Sequence, residues 1–188
     1  LVDRLAQGRL LIPVVANLPG VGANLQDHLD ICTLWKSRRA DTYDFGLFGE
    51  AAVALRWLLK RDGPGASNVA EAGGFVRSVL ARDERPDLQL HFVPAQLDDH
   101  GRNRLPGHGF TIHACALRPR GRGAIRLSSA DPEVRPRIAP RYLSEPEDLD
   151  LMVEAVHLAR DIVRGTALDP WRGEQFLPGR GQGGRRAP

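Results

Sequence analysis

Cysteine is scarce in this chain, and long apolar runs are absent. Cys32 and Cys115 are the only cysteines, and they lack the C-x-x-C spacing of zinc ribbons and thioredoxin-like redox motifs. No apolar run approaches the roughly 20 residues that a membrane-spanning helix needs. Asp3, Arg4 and Arg9 interrupt any secretory leader. These absences exclude both cysteine motifs and a transmembrane segment, and they favour a cytoplasmic protein with two buried thiols.

Methionine and lysine are also rare. Met152 is the only methionine, and the chain starts at Leu1. Because a primary translation product starts with methionine, we expect a fragment or a processed piece of a longer protein. The net charge of +3 depends almost wholly on arginine, since Lys36 and Lys60 are the only lysines. Residues 179–188 read GRGQGGRRAP, a low-complexity basic segment, and we expect a disordered tail there.

The segment LPGVGANLQDHL at residues 18–29 combines glycines with amide and ionisable side chains. Its glycines predict a turn whose backbone can approach another group closely. The sequence around Gly20 and Gly22 is only half of the dinucleotide fingerprint G-x-G-x-x-G, since Leu25 stands where the third glycine belongs. Taken alone, the segment predicts a structural turn followed by an adjacent pair of ionisable groups, Asp27 and His28, that orient one another.

Apolar spacing along the chain predicts an α+β fold. Strands are expected at 10–15, 31–35, 74–76, 88–93 and 110–117. Helices are expected at 44–61, where apolar residues recur at helical spacing, and from the capping box at 144–147 to the C-cap at Gly165. Residues 118–123 are expected to turn the chain so that 124–128 pairs back as a hairpin, with Gly121 and Gly123 at positive φ. The fold class is a mostly antiparallel sheet flanked by helices.

Five successive segments resemble the glucose–methanol–choline (GMC) oxidoreductases, most closely the choline dehydrogenase-like members. The segment at 18–29 resembles the end of that family's flavin-binding domain. The other segments resemble parts of its substrate domain: PGASN with EAGGF at 64–75, PDLQLHF at 86–92, LRPRGRGAIRL with DP at 117–132, and PRYL at 140–143. The matches run in the family's order from about residue 12 to residue 178, which is nearly the whole chain.

The resemblance implies a domain organisation and an activity. Residues 1–30 would end an FAD-binding domain, residues 31–178 would form an incomplete substrate-binding domain, and residues 179–188 would be the basic tail. Enzymes of this family oxidise an alcohol, here a choline-like one, to an aldehyde by giving a hydride to FAD, with a histidine as base. The family's G-x-G-x-x-G and H-P-x-G-T-x-x-M-G segments are absent from this sequence. We therefore assign no catalytic residue and expect these residues alone neither to hold FAD tightly nor to turn over.

The resemblance also implies site residues. Glu71 would face the cation of a choline-like substrate, because a permanent cation needs a carboxylate or an aromatic face; the alternative is a solvated glutamate before a turn. His91 would line the substrate pocket, and the alternative is a hydrogen-bonded core histidine. Asn24, Asp27 and His28 would lie near the FAD, in a structural rather than a chemical role.

No metal site is expected from the sequence. Its candidate ligands match no standard ligand spacing: Asp98, Asp99, His100, His108 and His113.

Two functions from other classes remain open. One is a noncatalytic binding module that reuses the substrate-domain sheet, and the other is an arginine-driven anion- or RNA-binding protein. The arginine-rich stretch at 118–126 has no interleaved aromatic residues, and we expect no specific nucleic-acid partner.

A single purification separates these classes. We expect no RNA to remain on the chain, because the arginine-rich stretch is better explained as a turn than as a nucleic-acid surface. RNA that dissociates steeply with salt, and that is lost when residues 179–188 are deleted, would instead establish an RNA-binding protein. The absorbance spectrum of the same sample reports whether flavin is present.

Overall fold

The structure is a computed structural model, and it describes residues 12–13, 15–68, 70–98 and 103–178. These residues form two compact units. One comprises Arg118–Leu151 with the described residues up to Leu29, and the other comprises Asp30–Leu117 with the described residues from Met152 onward. The assignment of cofactor and substrate roles to the two parts of the chain stays a prediction.

Nine strands are present in the described part of the chain. In chain order they are β1 (Asp30–Ser37), β2 (Ala72–Val76), β3 (Leu88–Val93), β4 (Leu97–Asp98), β5 (Asn103–Arg104), β6 (Gly109–Ala116), β7 (Ala124–Arg126), β8 (Arg137–Ala139) and β9 (Arg172–Leu177). Five of them form one sheet in the order β2-β3-β6-β1-β9, with every adjacent pair antiparallel. This sheet confirms the predicted α+β fold and the strands predicted at 31–35, 74–76, 88–93 and 110–117.

Most of the buried apolar side chains of this sheet lie on one of its faces, although Leu34 and Val93 are buried on the other. Successive side chains of a strand point to opposite faces, and residues paired across strands share a face. Because Thr33 pairs with Ile112 and Ile112 pairs with Phe92, one face is shared by the odd-numbered residues of β1 and the even-numbered residues of β3 and β6. The buried apolar residues on this face are Trp35, Leu88, Leu90, Phe110, Ile112, Ala114 and Ala116.

The described residues include two α-helices, α1 (Gly46–Lys60) and α2 (Pro146–Arg164). Helix α2 confirms the helix predicted near the C-terminal end. Proline in the first turn costs no hydrogen bond, because the first N–H groups of a helix have no intrahelical partner. Gly165 has φ −57°, so the predicted left-handed cap at this glycine is wrong. The chain instead enters a short 3₁₀ turn, Thr166–Leu168.

The C-terminal half of α2 lies against β9. Arg160 Nε donates to Gln175 Oε1 at 3.1 Å, and an Arg172 guanidinium nitrogen donates to the Val163 carbonyl at 3.2 Å. The buried side of α2 consists of residues three or four positions apart, which is the spacing of a single helix face: Met152, Ala155, Ala159 and Val163.

Helix α1 follows its predicted position, but its apolar residues are not buried. Leu47 is 81 % exposed and Phe48 is 89 % exposed, and no residue of the helix is buried. The helix ends at Arg61, which adopts φ 56° and donates its backbone N–H to the Trp57 carbonyl. The sequence pattern therefore identified the helix without identifying anything that covers its apolar side.

In the smaller unit, backbone hydrogen bonds connect the turn near Gly22 to the β7–β8 hairpin. Leu25 and Gly123 exchange two backbone hydrogen bonds of 3.0 and 2.9 Å, and Ile125 N donates to Gly22 O at 2.7 Å. The turn at 19–22 confirms the prediction for the glycine segment.

The predicted hairpin after β6 is wrong. Residues 124–126 pair with β8 rather than with β6, and neither Gly121 nor Gly123 has positive φ. Asp148 explains the difference, because its buried carboxylate accepts the backbone N–H groups of Arg120 and Gly121 at 2.8 Å each. Those bonds hold the connecting segment at the first turn of α2. Gly123 is needed for close approach, since a Cβ there would lie 2.3 Å from the Ala139 carbonyl oxygen.

Two sequence predictions fall largely outside the described residues. Of the strand predicted at 10–15, only Ile12, Pro13 and Val15 are described, and none of them is in a strand. The tail at 179–188 lies wholly outside. No helix of the described ranges is both long enough and apolar enough to cross a bilayer.

Two leucine substitutions test where the core lies. Leu88 is fully buried in β3, whereas Leu47 is exposed in α1. We expect Leu88→Ala to lower the free energy of unfolding by about 2–5 kcal/mol, because it removes buried methyl groups and leaves a cavity. Leu47→Ala is the matched control and should change that free energy by less than about 0.5 kcal/mol. Urea unfolding of both variants measures the difference, and equal losses would contradict this account of the core.

Candidate functional site

Glu71 is the acceptor of a small hydrogen-bonded group beside the sheet. It directly precedes β2, and its backbone N–H donates to the Phe92 carbonyl of β3 at 3.0 Å. Its Oε1 accepts hydrogen bonds from the Tyr43 hydroxyl and from the Ser67 hydroxyl, the latter at 2.5 Å. Tyr43 is in turn next to Phe45, with ring centroids 5.4 Å apart. The exposed Glu71 carboxylate therefore has two hydroxyl donors, and the ring of one donor, Tyr43, lies against a second aromatic ring.

The hydrogen bonds keep this carboxylate charged. The bond from Ser67, followed by the bond from Tyr43, lowers the pKa of Glu71, and partial desolvation opposes this by raising it. Burial, followed by the hydrogen bond to Glu71, raises the pKa of the Tyr43 hydroxyl, so the tyrosine stays a donor. At neutral pH the group therefore carries a fixed negative charge held in place by neutral donors.

His91 lies in the middle of β3, on the face of the sheet opposite the core. It pairs with His113 of β6 on one side and with Gly73 of β2 on the other. A Cβ at Gly73 would lie 3.5 Å from His91 Nδ1 and 2.7 Å from the Leu90 carbonyl oxygen. The edge strand β2 therefore approaches β3 too closely at Gly73 to admit a side chain beside the half-buried His91 ring.

The same face carries a cluster that the sequence analysis missed. His113 Nδ1 lies 2.7 Å from Asp30 Oδ2 and 3.1 Å from Cys32 Sγ, and Cys32 Sγ lies 3.7 Å from Asp30 Oδ2. All three side chains are half-buried. The cluster joins residues more than 80 positions apart in sequence, and only the antiparallel register of β1 against β6 could have revealed it.

The second cysteine is on the same face of β6. Cys115 pairs with Asp30 of β1 and with Gln89 of β3. Burial, followed by the charge of Asp30, raises the pKa of the Cys115 thiol. The prediction that both thiols are buried holds for Cys115, whereas Cys32 is half-buried.

The remaining histidine candidate is not near this cluster. His108 precedes β6, and its Nδ1 lies 3.0 Å from Thr42 Oγ1. Asp99 and His100 of the ligand set considered from the sequence lie outside the described residues.

The predicted cofactor residues Asn24, Asp27 and His28 lie on the exposed segment after the glycine turn. Asn24 adopts φ 57°, a left-handed conformation that asparagine tolerates better than most residues. Both Asp27 oxygens have internal donors: Oδ2 accepts from the Tyr142 hydroxyl, and Oδ1 accepts from the His28 backbone N–H at 2.9 Å. The hydrogen bonds of Asp27 therefore stabilise the local fold of this segment. Asn24 precedes Asp27 and His28 follows it in sequence.

A shallow cavity of about 440 Å³ lies along the β7–β8 hairpin. None of the five predicted site residues lines it; its walls come from Ala124, Arg126, Leu127, Ser128, Arg137 and Ala139.

Comparison with protein families and known sequences identifies similar proteins. Residues 119–187 match the family model described as GMC oxidoreductase. The chain is 43 % identical over 171 residues to an alcohol dehydrogenase [acceptor] of Pseudomonas putida, which is 89 % of this chain and 31 % of that protein. It is 38 % identical over 172 residues to an oxygen-dependent choline dehydrogenase of Paraburkholderia phytofirmans, covering 89 % of this chain and 30 % of that protein. The chain thus spans about a third of the curated relatives it matches.

Solved structures share the fold. A formate oxidase superimposes with a TM-score of 0.84 at 21 % identity, over 97 % of this chain and 37 % of that chain. A pyridoxine 4-oxidase from Mesorbium loti superimposes with a TM-score of 0.73 at 20 % identity, over 95 % of this chain and 31 % of that chain. At these identities the likeness concerns the arrangement of strands and helices.

Removing one donor tests the electrostatics of Glu71. We expect Ser67→Ala to raise the pKa of Glu71, because the hydrogen bond from Ser67 is the largest influence that lowers it. Since folding lowers this pKa, the stability that Glu71 contributes is present above the ordinary glutamate pKa and is lost as pH falls through the lowered value. An NMR titration of the Glu71 carboxyl carbon measures the shift. Ser129→Ala, a serine whose hydroxyl accepts the Asp131 backbone N–H, is the control and should leave the Glu71 pKa unchanged.

Proposed function

We propose, since this chain belongs to the GMC oxidoreductase family, that it is the substrate-recognition part of an FAD-dependent enzyme that oxidises a choline-like alcohol to an aldehyde. The similarity to a choline dehydrogenase and an alcohol dehydrogenase over about nine-tenths of this chain supports the reaction class. The observation that carries the substrate class is the charged Glu71 carboxylate, which is bonded to the Tyr43 hydroxyl, together with the Phe45 ring that lies against Tyr43.

A quaternary ammonium group suits this arrangement for a physical reason. It carries a permanent charge and has no N–H donors, so it is recognised through charge and aromatic contacts rather than through hydrogen bonds. A carboxylate attracts it through charge, and aromatic faces attract it through their quadrupoles, with cation–π contacts contributing about 0.5–2 kcal/mol. Glu71 supplies the first element, and the tilted Tyr43–Phe45 pair supplies the second.

His91 would contribute to the same substrate wall. It is half-buried on the polar face of the sheet, and the residue paired with it on β2, Gly73, carries no side chain that could cover its ring. An imidazole there offers a hydrogen bond to the hydroxyl end of a small alcohol. We assign His91 to substrate contact and assign no base for the hydroxyl proton to this chain.

The residues proposed to meet FAD fit a positioning role. Asn24 and His28 are polar and exposed, which suits hydrogen bonds to a polar cofactor, whereas both Asp27 oxygens are already used inside the chain. When bound, the flavin supplies the acceptor for the hydride that leaves the alcohol carbon. We propose that Asn24 and His28 contact it and that Asp27 holds the backbone at His28 in place, while this chain alone does not turn over.

The nucleic-acid alternative has less support from the described arginines. Arg120 pairs with Glu147 at 2.9 Å, and Arg122 donates to three backbone carbonyls of its own turn, those of Pro119, Arg120 and Gly121. These guanidinium groups serve the local fold.

Choline and its uncharged isostere 3,3-dimethyl-1-butanol test the substrate class. We expect choline to bind this chain and shift the NMR signals of the Tyr43 ring, while the isostere binds more weakly. Glu71→Gln should weaken choline binding roughly 5- to 30-fold, because the variant loses the negative charge that attracts the cation. Binding of the isostere should not change.

Glu174→Gln removes an exposed carboxylate from β9 and is the matched control for total charge. It should leave choline binding unchanged. Equal affinity for the two alcohols, or equal choline binding by the Glu71→Gln variant and the unaltered chain, would contradict the proposed substrate class.

A further inference from the structure

Three different metal-ligand atoms converge on the polar face of the sheet. They are a carboxylate oxygen of Asp30, the sulfur of Cys32 and the Nδ1 nitrogen of His113, and all of them lie within 4.8 Å of one another. The side chain of His113 is 17 % exposed and that of Asp30 is 27 % exposed. The cluster is therefore sheltered by the sheet yet still reachable from solvent.

Backbone geometry fixes this convergence. Asp30 and Cys32 are two residues apart on β1, so their side chains point to the same face. Cys32 pairs directly with His113 on the neighbouring strand β6. Because β6 is also paired to β3 on its other side, the ligand positions sit on one of the best-supported parts of the sheet.

The separations are close to those of a tetrahedral zinc site. Ligand atoms about 2.0–2.3 Å from a tetrahedral zinc ion are roughly 3.3–3.6 Å apart. The observed pairs are 3.1 Å for Nδ1 to Sγ, 2.7 Å for Nδ1 to Oδ2, and 3.7 Å for Sγ to Oδ2. Small side-chain rotations would separate the nitrogen from its two neighbours enough to admit an ion.

Without an ion, Nδ1 of His113 lies within hydrogen-bond distance of both partners, and the Cys32 thiol can itself donate to Asp30 Oδ2. Nδ1 is the atom of His113 nearest to both Asp30 and Cys32, whereas Nε2 lies 3.9 Å from the sulfur. A single ring nitrogen carries one proton at most, so it cannot donate a full hydrogen bond to both partners. A cation at the point of convergence would interact with all three atoms at once.

We propose that Asp30, Cys32 and His113 bind a thiophilic divalent cation, with Zn²⁺ as the chemical type, and leave one coordination position open. A sulfur and an imidazole nitrogen favour zinc-like ions over Mg²⁺ and Ca²⁺, which prefer all-oxygen ligand sets. The bound ion cross-links β1 to β6 and thereby stabilises the folded state of the chain. The site is independent of the proposed alcohol oxidation and departs from the sequence analysis, which expected no metal.

Cobalt titration of the reduced chain tests the site. Co²⁺ occupies zinc sites and reports a thiolate ligand through a charge-transfer band in the near ultraviolet. We expect one Co²⁺ per chain, the thiolate band, and loss of that band when Zn²⁺ is added. Absence of the band from the unaltered chain at saturating Co²⁺ overturns the proposal whether or not any variant folds.

Matched variants locate the ligands. Cys32→Ser should abolish the thiolate band, whereas Cys115→Ser should retain it. His113→Gln should weaken Co²⁺ binding at least about tenfold, since even loss of an outer-shell partner costs metal affinity about that much. His157→Gln, an exposed histidine of α2, should not weaken it.

Thermal unfolding supplies a second measurement. Zn²⁺ should raise the unfolding temperature of the unaltered chain and of Cys115→Ser but not of Cys32→Ser, because only an intact site binds the folded state preferentially. A thiolate band that persists in Cys32→Ser, or an equal zinc effect on all three proteins, overturns the assignment.

Discussion

The pairing of β1 with β6 is the constraint on which most of the larger unit depends. Its register runs without interruption from Asp30 opposite Cys115 to Lys36 opposite Gly109. A shift by one residue would reverse the face of every side chain. On one face the register brings Trp35 next to Phe110 in the core, and on the other it brings Cys32 next to His113. The apolar core and the polar cluster are therefore two results of the same alignment.

The sequence predicted the positions of single strands and helices better than it predicted which residues contact one another. Alternation in β3 and β6 and the helical spacing in α2 are local signals, and they placed these elements close to their observed bounds. The hairpin after β6 was wrong because its outcome depends on Asp148, about 28 residues further along the chain, whose carboxylate holds the N–H groups of Arg120 and Gly121. No local pattern reports such a bond.

The candidate sites divide in the same way. Glu71 was found through a family resemblance. Its donor Tyr43 was not found, because Tyr43 is 28 residues away in sequence. The Asp30–Cys32–His113 cluster has no sequence signal at all, since it exists only once two strands separated by most of the unit are paired. Exposure of α1 was likewise beyond prediction, because periodicity shows that a helix has an apolar side without showing that anything packs against it.

Strand β2 has one partner among the described strands and forms an edge of the sheet. Its two adjacent glycines differ: a side chain at Gly73 would collide with the Leu90 carbonyl oxygen, whereas a Cβ at Gly74 would meet nothing within 4 Å. Open sheet edges recruit strands from other molecules, and glycine makes such recruitment less favourable because it has low strand propensity. Valine in place of Gly74 would fit sterically and raise the strand propensity of β2. It would also make the edge a better template for amyloid-like stacking, so the residue that weakens β2 also protects the chain from self-assembly.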